Sequence, residues 1–462
     1  MVQVFTKRNA SGFEAGGTFA AGSLSAREGT VRASFGDGPF AFTAGFRRTT
    51  TDGDLPNEFF AATNAAASAE LTSGAVRVGV TFRRDESRSG VPFSGATVTP
   101  RQFTTSETTA VSVPVAVSLG ASTTLEAAAT YTKDRPTYSN VDDPYGFTFA
   151  RTEAGRAGGR ITLVTTLGVN RVSVGADYER TRVDDEDSFG VEIDGKTTRT
   201  VSAFAEDRIS LFGEKLVATA GIRYDDHSAF GGHTSPRVTL AYRPIPSLKL
   251  RAAAGGAFRS PSTGELYYPF SGNPALRPER SVSYELGGDY DVAPSTTLSL
   301  SLFQNDVRDL IDYDFTTSTD QNVGRARTRG MEAGVTMASS GGRFLRASYT
   351  YLDAVDRDTG LPLLRRPRHR ASATFGARVF REATAELTAL FVGRRDDVDA
   401  VTFARVTDAS YFRLDLALSG PKLLGHLTPF LKLTNLLGRD YVEVAGFPSP
   451  GRRVLGGLEL GF

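Results

Sequence analysis

Val454-Leu455-Gly456-Gly457-Leu458-Glu459-Leu460-Gly461-Phe462 closes the chain and decides its fold. Counted back from Phe462, every second residue is Leu460, Leu458, Gly456 and Val454; between them stand Gly461, Glu459, Gly457 and Leu455. A period of two describes a strand with one apolar face. In lipid every backbone amide and carbonyl needs a partner within the protein, so a sheet that crosses a bilayer must close on itself. Its strands then show one face to lipid and one to a wet lumen. The segment reads as the closing strand of an outer-membrane β-barrel, with Phe462, Leu460 and Leu458 as its terminal assembly signal.

The same rhythm recurs upstream. Leu216, Ala218, Ala220, Ile222 and Tyr224 alternate with Val217, Thr219, Gly221, Arg223 and Asp225. Leu248, Leu250, Ala252 and Ala254 alternate with Lys249, Arg251 and Ala253, and Leu298, Leu300 and Leu302 with Thr297, Ser299 and Ser301. Tight Gly/Pro/Asp connectors stand at Gly36-Asp37-Gly38-Pro39, Phe212-Gly213-Glu214, Ile245-Pro246-Ser247, Ala293-Pro294-Ser295 and Ser340-Gly341-Gly342; these residues suit hairpin turns. Long polar segments fall between them, at about 50–66, 85–107, 133–153, 183–196, 259–279, 307–327, 354–366, 395–408 and 438–451. Short turns on one side and long loops on the other are the pattern of a transmembrane barrel. The strands so delimited number about 22, with both chain ends on the periplasmic side.

Composition agrees. The 462 residues carry 53 basic and 52 acidic side chains, a net charge of +1, which predicts no nucleic-acid partner. No stretch reaches the roughly 18 apolar residues of a membrane helix. There is no cysteine, hence no disulfide or thiolate chemistry. The start, Met1-Val2-Gln3-Val4-Phe5-Thr6-Lys7-Arg8, lacks the basic and apolar regions of a secretory signal, so a fragment, a mature or engineered chain, or a misassigned start is expected. With strands about 4.8 Å apart and tilted about 40°, a ring of this size is roughly 44 Å across and leaves about 30 Å clear between side chains. Barrels this wide carry a plug, and the sequence holds no residues to spare for one.

Several motifs, taken together and in order, resemble those of TonB-dependent outer-membrane receptors. They are Ala257-Phe258-Arg259-Ser260-Pro261-Ser262, Gly272-Asn273-Pro274-Ala275-Leu276-Arg277-Pro278-Glu279-Arg280-Ser281, Gly330-Met331-Glu332, Lys432–Tyr441 and Pro450-Gly451-Arg452-Arg453. Asn305–Asp314 and Leu361–Arg366 are most similar to the cobalamin-receptor branch. The resemblance implies a monomeric receptor and transporter, embedded in outer-membrane lipid, that takes up cobalamin or a similar large nutrient. A siderophore receptor, or a plugless passive pore or nonfunctional barrel fragment, is the alternative. It implies residues 1–8 as the remnant of the last plug strand and 9–462 as the barrel, with the plug domain missing. The inner-membrane energy-coupling protein would be a partner only if that plug were supplied. Read physically, Pro274 and Pro278 fix φ and push the preceding residues towards extended geometry, so Asn273–Ser281 is loop architecture that aims the chain into a strand over Ser281–Asp291.

Other constellations have competing readings. Gly190–Thr197 fits the phosphate-loop pattern, but a strand rather than a helix follows and Glu192 and Asp194 would repel phosphate; Asp194-Gly195 is expected to be a hairpin turn. Asp184, Asp185, Glu186 and Asp187 are calcium-ligand candidates, since hard cations take several oxygens, or simply a solvated acidic run. Tyr267, Tyr268 and Phe270 are substrate-contact candidates, or members of an interfacial aromatic girdle. His227, His233, His369 and His426 have no metal-binding spacing, and no G-x-S-x-G is present. No catalysis and no cofactor besides that calcium are expected.

Overall fold

The computed structural model describes residues 12–94, 97–269, 271–314, 316–399 and 401–462; the expected plug remnant at 1–8 lies outside them. Twenty-two strands form a single sheet. In chain order they are β1 (Gly12–Gly22), β2 (Arg27–Asp37), β3 (Phe40–Thr51), β4 (Phe60–Ser73), β5 (Val76–Gly90), β6 (Phe103–Ser118), β7 (Thr123–Ser139), β8 (Phe149–Leu167), β9 (Asn170–Asp187), β10 (Gly190–Leu211) and β11 (Leu216–His227). There follow β12 (Gly231–Ile245), β13 (Leu248–Arg259), β14 (Glu279–Ala293), β15 (Thr296–Asp314), β16 (Thr319–Ala338), β17 (Phe344–Asp356), β18 (His369–Phe380), β19 (Ala383–Val392), β20 (Tyr411–Ser419), β21 (Leu427–Thr434) and β22 (Arg453–Gly461).

Each strand pairs antiparallel with the next. β22 then returns to β1, from Gly16↔Gly461 to Gly22↔Leu455, and closes the ring. Ala15 and Phe462 exchange both backbone hydrogen bonds just beyond that ladder. The terminal ring stacks on His426 with centroids 5.0 Å apart. Gly457 is required at this seam: a Cβ there would collide with the Phe19 carbonyl oxygen and sit 2.6 Å from the Phe430 ring.

Few apolar side chains are buried, because the apolar surface points away from the lumen. Tyr242, Leu250, Gly288, Leu300 and Ala333 follow one another across five strands on one face. Leu298, Leu300 and Leu302 are each nearly half exposed on it; in the membrane that exposure is to lipid. The opposite face carries polar rows. Arg160, Asp177, Ser202 and Asp225 stand side by side on β8 to β11. Asp177 accepts from Arg160 and Arg223, and Asp225 accepts from Arg223 and from Ser202 Oγ at 2.6 Å. Both Ser202 and Asp225 are buried, so their hydrogen bonds are obligatory.

The expected turns are present: Gly38-Pro39, Pro246-Ser247 and Pro294-Ser295 are two-residue links, and Phe212-Gly213-Glu214 lies between β10 and β11. The long polar segments differ from expectation. Much of 183–196 and 307–327 continues as strand, since a ladder extends beyond the bilayer wherever backbone partners remain. The β9–β10 hairpin turns at Ser188-Phe189, where the Asp187 carboxylate accepts from the Phe189 amide at 2.7 Å. Asp194-Gly195 is therefore no hairpin turn. It lies beside register shifts in the β9–β10 ladder, and Gly195 has φ +53, the left-handed geometry glycine supplies in a bulge. A strand follows Lys196-Thr197, so no helix terminus exists to cradle phosphate.

Candidate functional site

The outer mouth is built around the loop between β13 and β14. Pro261 leads into one helical turn, α1 (Thr263–Tyr267), closed by a capping box. The Ser262 hydroxyl accepts from the Glu265 amide, and Glu265 accepts from the Ser262 amide at 2.6 Å. Leu266 is almost wholly buried, and α1 packs against β10. The loop thus reaches back past β11 and β12 to the β9–β10 hairpin.

Arg259 clasps both ends of the loop. Its guanidinium donates to Glu265 at 3.0 and 3.1 Å and to Glu279 at 2.6 and 2.7 Å. Burial works against charge on these carboxylates. The Arg259 guanidinium outweighs it, with the Ser262 amide on Glu265 and the Ile311 amide on Glu279, and both sit below the usual carboxylate range. The guanidinium itself is held above its ordinary value by the two carboxylates.

The segment Asn273–Ser281 serves this architecture. Asn273 donates to the Asp320 carbonyl and accepts from the Ala275 amide. Leu276 is buried. Arg277 pairs with Asp309 at 3.0 Å, and Asn322 bridges the Arg277 amide and carbonyl.

Two candidate groups distant in sequence meet at the mouth. The Lys196 ammonium lies 5.5 Å from the centre of the Tyr267 ring. Tyr268 is partly exposed, and burial together with Glu192, Asp187 and Asp185 raises its hydroxyl above the usual range. Aromatic rings, one ammonium and several carboxylates therefore share one surface. Phe270 lies outside the described residues. The acidic run does not converge on one point, because successive strand residues face opposite ways. Asp184 turns outward and is held by Arg182 and the Gly195 amide, and Glu186 turns the same way, 3.7 Å from Arg151. Asp185 faces the other side and accepts from Thr152. Among the described residues no three acidic or histidine side chains are grouped to hold a metal ion.

Leu458 and Leu460 lie on the lipid face of β22, opposite Phe19 and Gly17 of β1. His227 stacks on Phe230 and His233 lies against Phe258; burial lowers both imidazoles below their ordinary value. Sequence reading missed the Arg259–Glu265–Glu279 clasp, although the Ser262–Glu265 spacing announces the capping box that positions it.

A profile described as the TonB-dependent receptor-like β-barrel matches residues 5–436. Among solved structures, the siderophore receptor PirA from Acinetobacter baumannii is 16% identical, with a TM-score of 0.83 over 99% of this chain and 81% of that one. The copper transporter OprC is 16% identical, with a TM-score of 0.84 over 99% and 81%. The FrpB iron transporter from Neisseria meningitidis is 13% identical, with a TM-score of 0.82 over 98% and 82%. At these identities the likeness is one of fold.

Proposed function

Because the chain belongs to the TonB-dependent receptor-like β-barrel family, an outer-membrane transporter family rather than one of enzymes, we propose that it is the wall and recognition surface for uptake of a bulky metal chelate, a ferric siderophore by preference. The mouth carries this reading. Tyr267 and Tyr268 offer flat apolar faces, and Lys196 beside Tyr267 offers one cation to the oxygens of a chelate. The neighbours named as siderophore and iron receptors support the chelate class. Cobalamin is the second reading, favoured by the motif likeness of Asn305–Asp314. The polar inner wall suits a plug that fills the lumen and couples the barrel to the inner-membrane energy-coupling protein, supplied in the same polypeptide or separately.

Equilibrium dialysis of the folded chain in detergent tests this with a ferric tris-catecholate, a ferric tris-hydroxamate and cyanocobalamin. A ferric chelate is expected to be retained, and Y267A or Y268A to weaken it about tenfold. Retention of cyanocobalamin alone would move the assignment to the second reading. Retention of none, with large unselective currents in planar bilayers, would make the chain a passive pore.

A further inference from the structure

Arg180 on β9 and Arg199 on β10 stand directly opposite each other in the ladder. Tyr178 and Val201, one strand repeat below them on the same face, are about half exposed. Both arginines therefore point outward, away from the lumen. Tyr131 on β7 and Tyr224 on β11 also face out, about half exposed, and pair with Ala157 and Ala203 on the same face. Such tyrosines mark the boundary between hydrocarbon and headgroups. Two residues further along a strand is about 7 Å, the depth of headgroup phosphates.

Like charges placed opposite one another across a sheet repel. Among the described residues, neither guanidinium has an ion-pair or side-chain hydrogen-bond partner. Other outward cations nearby have carboxylate partners: Arg84 pairs with Glu86 and Glu107, Lys133, Arg135 and Arg151 share Glu153, and Arg151 also lies near Glu186. Arg182, one step above Arg180, is taken by Asp184. Asp226 faces outward opposite Val201 and, among the described residues, forms no ion pair. The cross-strand neighbours that flank the pair are small: Ala157 beside Arg180, and Ser228 bound to the Arg199 backbone. The two forks are thus left open to a shared anion, and guanidinium forks match phosphate oxygens bidentately.

We propose that Arg180 and Arg199 bind the phosphate of an anionic lipid in the outer leaflet, whose acyl chains run down the wall past Tyr178 and Val201. The bound phosphate relieves the repulsion between the two cations, so the site also couples lipid charge to barrel stability.

The folded 462-residue chain in neutral maltoside micelles is titrated with phosphatidic acid, with phosphatidylcholine of the same acyl chains, and with inorganic phosphate. Native mass spectrometry and thermal unfolding are the readouts. Wild type is expected to retain phosphatidic acid over the choline lipid by about thirtyfold, two surface cations' worth of attraction. R180Q/R199Q is expected to lose that preference, while R370Q, a change on the lumen face, keeps it. Without anionic lipid, R199Q should unfold no earlier than wild type; only wild type should then gain stability from phosphatidic acid. Equal retention of the two lipids by wild type, or an undiminished preference in R180Q/R199Q, would overturn the proposal. So would displacement of bound phosphatidic acid by an equal concentration of inorganic phosphate, since recognition would then not involve the lipid.

Discussion

Replacing Leu300 by arginine tests which face of the wall meets lipid. Leu300 is about half exposed, and its neighbours across the ladders on that face are Gly288 and Ala333. Neither offers a carboxylate or a bulky side chain to shelter a new charge. β15 begins at Thr296; four residues at about 3.4 Å each, tilted about 40°, put position 300 about 10 Å above the inner end of the strand. The apolar band is about 25 Å tall, so the charge would sit near its middle, and Gln304 marks the outer boundary of the apolar run on this face. Leu300→Arg is expected to cost about 2–4 kcal/mol of folding stability in bilayers. Ser299→Arg points into the lumen directly opposite Asp289 and should change stability by no more than about 0.5 kcal/mol. Reversible guanidinium unfolding of both variants in phosphatidylcholine vesicles measures the difference. Equal costs, or a larger cost at Ser299, would refute the assignment of faces.

Three further outcomes follow from the seam and the mouth. Deleting Phe462 removes the ring that stacks on His426 and two backbone hydrogen bonds to Ala15; folded yield in outer membranes should fall well below that of a single-residue deletion in the outer loop at 357–368. Gly457→Ala forces a Cβ against the Phe19 carbonyl and should destabilise the barrel by about 1–3 kcal/mol, read by the temperature at which the compact form is lost on gels. The mouth loop should loosen in acid. Glu265 and Glu279 are depressed below their ordinary 4.5 in the folded state, so their contribution is present above that value and is lost as pH falls through the folded values; the exchange protection of 260–278, taken relative to the intrinsic amide rate at each pH, should fall there, and unchanged protection would refute the role of the clasp.

The sequence carried the barrel because lipid imposes a signal. Wherever a strand crosses the apolar band, as in Leu298-Leu300-Leu302 or the last nine residues, alternation with period two is obligatory and readable. Above the band both faces are wet, so 183–196 and 307–327 lose their hydrophobic rhythm while their backbone ladders continue. That is why strand tips read as loops, and why a bulge at Gly195 resembled a turn. Tyr267 and Lys196 meet only because α1 folds back onto β10. The Arg180–Arg199 pair needs the β9–β10 register. Alternation shows which face a residue takes, but the partner across the ladder depends on turn length, and one shifted residue would reverse it.

A cross-link at the closing seam tests the account most directly. Thr18 and Glu459 are paired residues on β1 and β22, and the chain has no cysteine of its own. Paired strand positions bring Cβ atoms to about 4.5–5.5 Å, close enough for a disulfide after slight adjustment. The T18C/E459C variant, folded in detergent and oxidised, should cross-link almost completely and keep a compact heat-resistant form, while T18C/E386C, with its second cysteine on the inner face of β19, should not cross-link. Failure of the two cysteines of T18C/E459C to join in folded protein, or equal cross-linking in both variants, would contradict a sheet closed by its first and last strands.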